Sequence, residues 1–379
     1  MPWKDVSLMT QRKEVVMLAL LEGANRRELA SRAGVSPKTL YKWLGRYREA
    51  GEAGLCDGSR RPHTSPQRTG AGVEEQLLAL RDLHPAWGGR KLARRLSDLG
   101  VPEVPSPSTV TAILRRHGRL AQAERQAGGP WQRFEHPEPN LLWQMDFKGH
   151  VAHDRGRCHP LTVLDDHSRF NLCLAACDNE QAATVKERLI AVFRRYGLPR
   201  RMSMDNGPPW GGDASDYTAL TVWLMQLGIA VTHSRPYHPQ TQGKDERFHR
   251  TLKAEVLQAR RFADNAQAQC VFDQWRQIYN CERPHEALGM AVPITRYRPS
   301  PVSYPEVLAE PEYLETDRVY KVGRDGTVEL KGRRIRIGKA FVGQRVALRP
   351  TATEAVWKVW FMRFEIAELD LREQQSAQA

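Results

Sequence analysis

The apolar positions of this chain change their period twice. Up to about residue 120 they follow helical spacing in short, basic stretches; from Asn140 they fall into strands alternating with helices; after Pro293 they break into short β-prone runs. Within the middle region, Leu141 to Val151, His159 to Asp165 and Asn171 to Cys177 read as three successive strands. Val185, Leu189, Val192, Phe193 and Tyr196 then predict a helix closed by Gly197. Arg201 to Met204 is a short strand, Tyr217 to Leu227 a helix and Ile229 to His233 another strand. Pro236, Pro239 and Gly243 keep the next stretch out of a helix. Beyond Gly243, Phe248, Leu252 and Val256 recur every four residues, the period of one buried helical face. Three strands, helix, strand, helix, strand, helix predict a mixed α/β layered core.

The N-terminal third predicts two helix-turn-helix modules. In the first, Ala30 lies mid-helix, Gly34 falls at a tight turn, and Ser36-Pro37 caps a second helix whose Leu40 and Trp43 face inward. That helix would offer Lys38, Thr39, Tyr41 and Lys42 to DNA, with Arg46 one turn on. Ser106-Pro107-Ser108-Thr109-Val110 repeats Ser36-Pro37-Lys38-Thr39-Leu40 after a basic helix, Arg90 to Leu99, and brings Ser108, Thr109, Arg115 and Arg116 into the same role. At the other end, five short runs between Val319 and Phe361, separated by glycines, predict a small all-β barrel or sandwich in which Arg333 and Arg334 lead a basic segment. The expected organisation is a helix-turn-helix domain over 1–56, a linker over 57–72, a second such domain over 73–120 and a linker over 121–139. The α/β core follows over 140–293, then a linker over 294–312 and the β domain over 313–370.

Charge narrows the function. A formal net charge of +13 over 379 residues favours a polyanionic partner. No apolar run approaches the roughly 18 residues of a spanning helix, and Val15 to Leu21 lacks the flanks of a secretory signal, so a cytoplasmic protein with no membrane partner is expected. The six cysteines form no C-x-x-C pair and read as buried small hydrophobes.

Three acids occupy strand ends or a helix start: Asp146 on the first strand, Asp205 after the fourth, and Glu246 in the first turn of the last helix. Phosphoryl transfer on DNA is served by two divalent ions that stabilise the attacking and leaving oxygens, and Mg2+ is held by a few carboxylates plus substrate phosphate. His249, Arg250 and Lys253 follow Glu246 along its helix face, so Arg250 and Lys253 are expected to meet DNA, whereas His249 and His238 read as structural or surface groups. Gln240 and Gln242 could read DNA from the loop before the helix. Asp165 and Asp166 are expected to form a hairpin turn paired with Arg169, and Asp245 to lie in solvent.

Trp143-Gln144-Met145-Asp146-Phe147-Lys148-Gly149, Met204-Asp205-Asn206-Gly207 and the run His238 to Arg247, which includes Lys244, together resemble the DDE catalytic core of retroviral integrases and bacterial insertion-sequence transposases. Leu164 to Arg169, Tyr279-Asn280 and Arg283-Pro284-His285 resemble the bacterial branch. The resemblance covers roughly residues 140–293 and implies a ribonuclease H-like core with Asp146, Asp205 and Glu246 as catalytic acids and ligands of Mg2+ or Mn2+. It also implies a homo-oligomer assembled on double-stranded element ends and joining them to target DNA, with no small-molecule cofactor, and an SH3-like character for the C-terminal domain. In place of the His/Cys zinc module of retroviral integrases stand the paired helix-turn-helix modules. The spacing from Asp205 to Glu246 (246 − 205 = 41) is also longer than theirs. A DNA-binding regulator that keeps this fold without chemistry is the alternative.

Overall fold

The computed structural model describes residues 8–57, 68–120, 135–211, 217–233, 243–258, 260–330 and 332–372. They belong to two compact units, 1–68 and 69–379. In the first unit α1 (Leu8–Leu20), α2 (Arg26–Arg32) and α3 (Pro37–Ala50) surround Val16, Ala19, Ala30, Leu40, Leu44 and Leu55. Gly34 takes a positive φ of 65° between α2 and α3, and the Ser36 side chain accepts the Thr39 N–H at the start of α3. Trp43 is only half-buried, at the margin of this core.

The second unit opens with α4 (Ala71–Leu83), α5 (Gly89–Asp98) and α6 (Pro107–Arg116). Ser106 caps α6 as Ser36 caps α3, and Leu77, Trp87, Leu92, Val110 and Leu114 form the small core. The helices cross closely at Gly89, where a Cβ would lie 2.6 Å from the Pro107 carbonyl oxygen. This three-helix module is docked on the α/β core. Ile278 of the core joins its apolar cluster, and Arg95 reaches Glu282 at 2.5 Å.

The α/β core has six strands: β1 (Trp143–Phe147), β2 (Val151–His153), β3 (Gly156–Asp165), β4 (Asn171–Cys177), β5 (Arg201–Met204) and β6 (Ala230–His233). β1 pairs antiparallel with β3 and parallel with β5; β5 pairs parallel with β6, and β4 and the short β2 both pair antiparallel with β3. The single strand expected over 141–151 is two, because Gly149 at φ 80° ends β1 before the β2–β3 hairpin begins. One sheet face packs on α7 (Ala182–Tyr196) and α8 (Ala219–Gln226) through Trp143, Met145, Leu161, Val163, Leu189, Phe193 and Leu224. The opposite face packs on α9 (Gly243–Leu252) and α10 (Asn265–Cys281) through Leu164, Leu174, Phe248, Leu252, Phe272 and Trp275.

The C-terminal domain contains β7 (Arg318–Lys321), β8 (Thr327–Leu330), β9 (Arg333–Arg336), β10 (Arg345–Pro350), β11 (Val356–Phe361) and β12 (Phe364–Asp370). Four form an antiparallel sheet in the order β12-β11-β10-β7, and β8 and β9 form a hairpin. Its core of Leu330, Ile335, Phe341, Leu348, Val359 and Phe361 is continuous with Val222 and Met225 of α8. Helical modules, a ribonuclease H-like α/β core and a small all-β domain thus follow one another as expected. Among the elements not anticipated are α1, α4, α10 and β12. Of the cysteines read as buried, Cys56 and Cys270 are exposed.

Candidate active site

Alternation along β1 sends Trp143 and Met145 into the α7–α8 side, which leaves Gln144 and Asp146 on the α9 side. In the parallel pairing Gln144 stands beside Ser203, so the residues two further on, Asp146 and Asp205, occupy matching positions at the carboxyl ends of adjacent strands. Asp205 leaves β5 in a tight loop, where its Oδ1 accepts the Gly207 N–H at 3.1 Å and its carbonyl oxygen accepts from His233 Nδ1 at 2.8 Å. Behind the pair, Phe147 stacks on Trp210 with ring centroids 5.4 Å apart, clamping the Asp205 loop to β1. Burial, and then the charge of Asp205, pushes Asp146 up to about 7. Two carboxylates held together are hard oxygen donors whose mutual repulsion a divalent cation would relieve, so the residues present fit Mg2+.

α9 supplies the rest. Glu246 is on its exposed side, and among the described residues no group of three His, Cys, Asp or Glu side chains converges closely enough to hold a metal ion. Asp146 and Asp205 are brought together; Glu246 is not gathered to them. Its neighbour Asp245, expected in solvent, is instead 1 % exposed, and neither carboxylate oxygen has a hydrogen-bond partner. Burial pushes Asp245 well above the usual carboxylate range, with Asp146 and Asp166 adding to the effect. His249 turns from the exposed side towards the sheet, where Nε2 lies 2.9 Å from Thr162 Oγ1 and Nδ1 lies 3.8 Å from Asp146 Oδ2. Burial and the charge of Lys148 lower His249 to about 3, so this contact is not an ion pair.

Asp165 and Asp166 are turn acids, as expected, with different partners. Asp165 Oδ1 accepts from the Ser168 N–H and hydroxyl and Oδ2 from the Asn140 N–H, at 2.5 to 2.8 Å. Asp166 accepts from Gln144 Nε2, the His136 N–H and the Lys244 ammonium. Arg169 turns away to Glu135, 3.4 Å distant. Lys244, expected at DNA, is therefore engaged inside the fold.

Of the other residues expected at DNA, Lys38, Tyr41, Lys42, Ser108, Thr109, Arg115, Arg250, Lys253 and Arg334 are exposed. Thr39 and Arg46 are half-buried. Arg116 pairs with Glu74 at 2.6 Å, and Arg333 donates to the Leu371 carbonyl oxygen at 2.9 Å. Gln240, Gln242 and His238 lie outside the described residues.

An acid-bearing mixed sheet with helix-turn-helix modules before it is the arrangement of an integrase-type core. Residues 136–239 and 227–293 match integrase core domain models, and 317–377 match the C-terminal domain of IS481 family transposases. Residues 11–63 match a helix-turn-helix domain and 39–114 a homeodomain-like domain. An uncharacterised 39.2 kDa protein of insertion element IS476 from Xanthomonas euvesicatoria is 30 % identical over 64 % of this chain and 69 % of its own length. A 31.7 kDa protein of insertion element IS407 from Burkholderia multivorans is 28 % identical over 41 % of this chain, which spans 54 % of that relative. Among solved structures, a chain of the simian T-cell lymphotropic virus intasome aligns with 77 % of this chain and 99 % of its own, at 17 % identity and a TM-score of 0.38. The chain belongs to the insertion-sequence transposases with an integrase-like core.

Proposed function

We propose that this protein binds the ends of its mobile element, cuts DNA there and transfers the freed strand ends into target DNA, using Mg2+ or Mn2+ held by Asp146, Asp205 and Glu246. The observation that carries the reading is the pairing of Asp146 with Asp205 at the ends of adjacent parallel strands, in a basic chain with two helix-turn-helix modules. A bound divalent cation supplies charge stabilisation at the reacting phosphate. Asp146, rigid on β1, and Asp205, fixed by the Gly207 N–H, hold their side of the centre. Glu246 completes it from the exposed side of α9, where a DNA backbone approaches. Arg250 and Lys253, exposed along the same helix and its extension, neutralise phosphates of that strand. The helix-turn-helix modules and Arg334 add contacts with duplex DNA, and a homo-oligomer brings two ends together.

The test is cleavage of end-containing duplex by the purified full chain with Mg2+. Cutting at the element end is expected. Asp146→Asn or Asp205→Asn should slow it at least about 100-fold, because a ligand's share of several kcal/mol is lost at about 1.4 kcal/mol per tenfold. Equal cutting by wild type and Asp205→Asn would refute the proposal.

A further inference from the structure

The segment that joins the α/β core to β7 has a composition unlike the rest of the chain. Residues 303–317 carry five acids, Glu306, Glu310, Glu312, Glu315 and Asp317, and no lysine or arginine, in a chain of net charge +13. Several of these acids lie against bases. Glu306 accepts two bonds from Arg194 of α7, at 2.7 and 2.8 Å, and Glu310 lies 4.0 Å from Arg345 of β10. Asp317 is gripped by Arg349 of β10 through two bonds of 2.7 and 2.8 Å. Between these acids, the Tyr313 hydroxyl donates to the Arg345 carbonyl oxygen and accepts the Met362 N–H. The face so crossed follows from alternation. Val346 and Leu348 enter the domain core, so Arg345, Ala347 and Arg349 belong to the outer face. The register sets Lys321 and Val319 of β7, and Trp360 and Lys358 of β11, beside them. Arg349 rests 4.6 Å from the centre of the Trp360 ring. The ring N–H of Trp360 is buried, with no hydrogen-bond partner among the described residues.

We propose that this outer face of β7, β10 and β11 binds the phosphate backbone of DNA and that segment 306–317 is its built-in competitor; this rests on the reading above only for DNA as the partner. An arginine fork that holds a carboxylate through two bonds holds a phosphate in the same way. Cations set around an indole ring combine charge with a flat surface, the pairing that single-strand and backbone sites use. The carboxylates of the segment leave the Trp360 N–H unused, and a phosphate oxygen can accept it. Lys358 is held by Glu365 of β12 at 2.9 Å, which leaves Lys321, Arg345 and Arg349 as the cations a strand would meet. The segment is a weak rival for them. Val307 is 83 % exposed and Leu314 62 %, so little apolar burial anchors it. Five acids spread over residues 303–317 also carry less charge than a duplex, which has one for about every 1.7 Å of its axis.

Amide exchange of the full chain, with and without a random-sequence duplex, tests this without reference to cleavage. The duplex is expected to speed exchange at Leu314, Asp317 and Met362, whose N–H groups are bonded while the segment lies on the face. Unchanged or slower exchange there with the duplex bound overturns the proposal and leaves the reading of the acids and the helix-turn-helix modules standing. A chain that binds no duplex overturns both. Affinity gives a second measure. Glu310→Gln/Asp317→Asn, at the two acids facing β10, is expected to bind the duplex about 10-fold tighter, each released pair contributing a few-fold. Asp154→Asn/Glu187→Gln makes the same change of net charge at exposed acids elsewhere and is expected to gain less than about 2-fold. Equal gains in the two variants would make the effect one of bulk charge and overturn the competitor role.

Discussion

Asp245 and Glu246 are adjacent on α9 and meet opposite surroundings, one sealed against the sheet and one open to solvent. The sequence carried a sign of this: positions 245, 248, 249 and 252 form an i, i+3, i+4, i+7 series with the buried face. The expectation of solvent rested instead on its angle from Glu246, about 100° around the helix. A buried carboxylate without a hydrogen bond costs about 1–3 kcal/mol or more. Asp245→Val should therefore raise the unfolding midpoint of the cation-free protein in urea, and a lowered midpoint would show that the acid is stabilised in place. Gly211 offers a second check. A Cβ there would sit 1.8 Å from the Asn206 carbonyl oxygen, a backbone atom that cannot swing aside. Gly211→Ala should displace the loop that carries Asp205 and weaken Mn2+ binding measured by calorimetry, with secondary structure unchanged by circular dichroism. The acids Asp146 and Asp205 were legible because each ends a strand; the partners of His249 were not, because Thr162 is 87 residues away in the chain.

Among the elements, α10 was there to be read and was not. Ala268, Phe272, Trp275 and Tyr279 recur at helical spacing behind an Asp264 cap, and all four are buried. β12 was harder, since Phe364–Asp370 alternates acids with apolar residues and buries none of its side chains fully. α10 supports the docking of the second helical module. At its end Arg283 and Glu255, each under 10 % exposed, pair at 2.8 Å, and the Trp275 ring N–H donates to the same carboxylate. Removing one partner of a buried pair costs about 3–5 kcal/mol, so Arg283→Ala should loosen α10 and speed its amide exchange. Lys91 of α5 lies in the same electrostatic neighbourhood, where burial and then Arg283 lower it to about 8. A lysine lowered from about 10.4 in the unfolded chain holds fewer protons when folded, so stability rises with pH between those two values. Comparing unfolding at pH about 7.5 and about 10 should show that rise in the wild type and a smaller one in Lys91→Met.

At the scale of the whole molecule, the order of folds was legible because each part has its own period: helical, mixed, then short β runs. What no period shows is which parts share a core. α8 buries six of its eight residues, with Leu220, Trp223 and Leu224 in the sheet core and Val222 and Met225 in the core of the β domain. Truncation after residue 316 should therefore leave an α/β core with an exposed apolar helix face, seen as dye binding and aggregation, whereas removal of 1–68, a separate compact unit, should leave the rest folded. The charge of +13 carries its own expectation: affinity for element-end DNA should fall steeply with salt, and each lost phosphate contact such as Lys253→Ala should flatten the log–log slope by about one.

The shared core of α8 also orders events in time. A chain made from its N-terminus completes the sheet carrying Asp146 and Asp205 well before residues 317–371 leave the ribosome. Until they do, Val222 and Met225 have nothing to pack against. Folding of domains usually proceeds from the N-terminus during synthesis, but here the α8 face of the α/β core waits for the last domain. The first unit, residues 1–68, is thus complete early, whereas the second helical module, which shares Ile278, and the α8 face are completed only with the parts made after them.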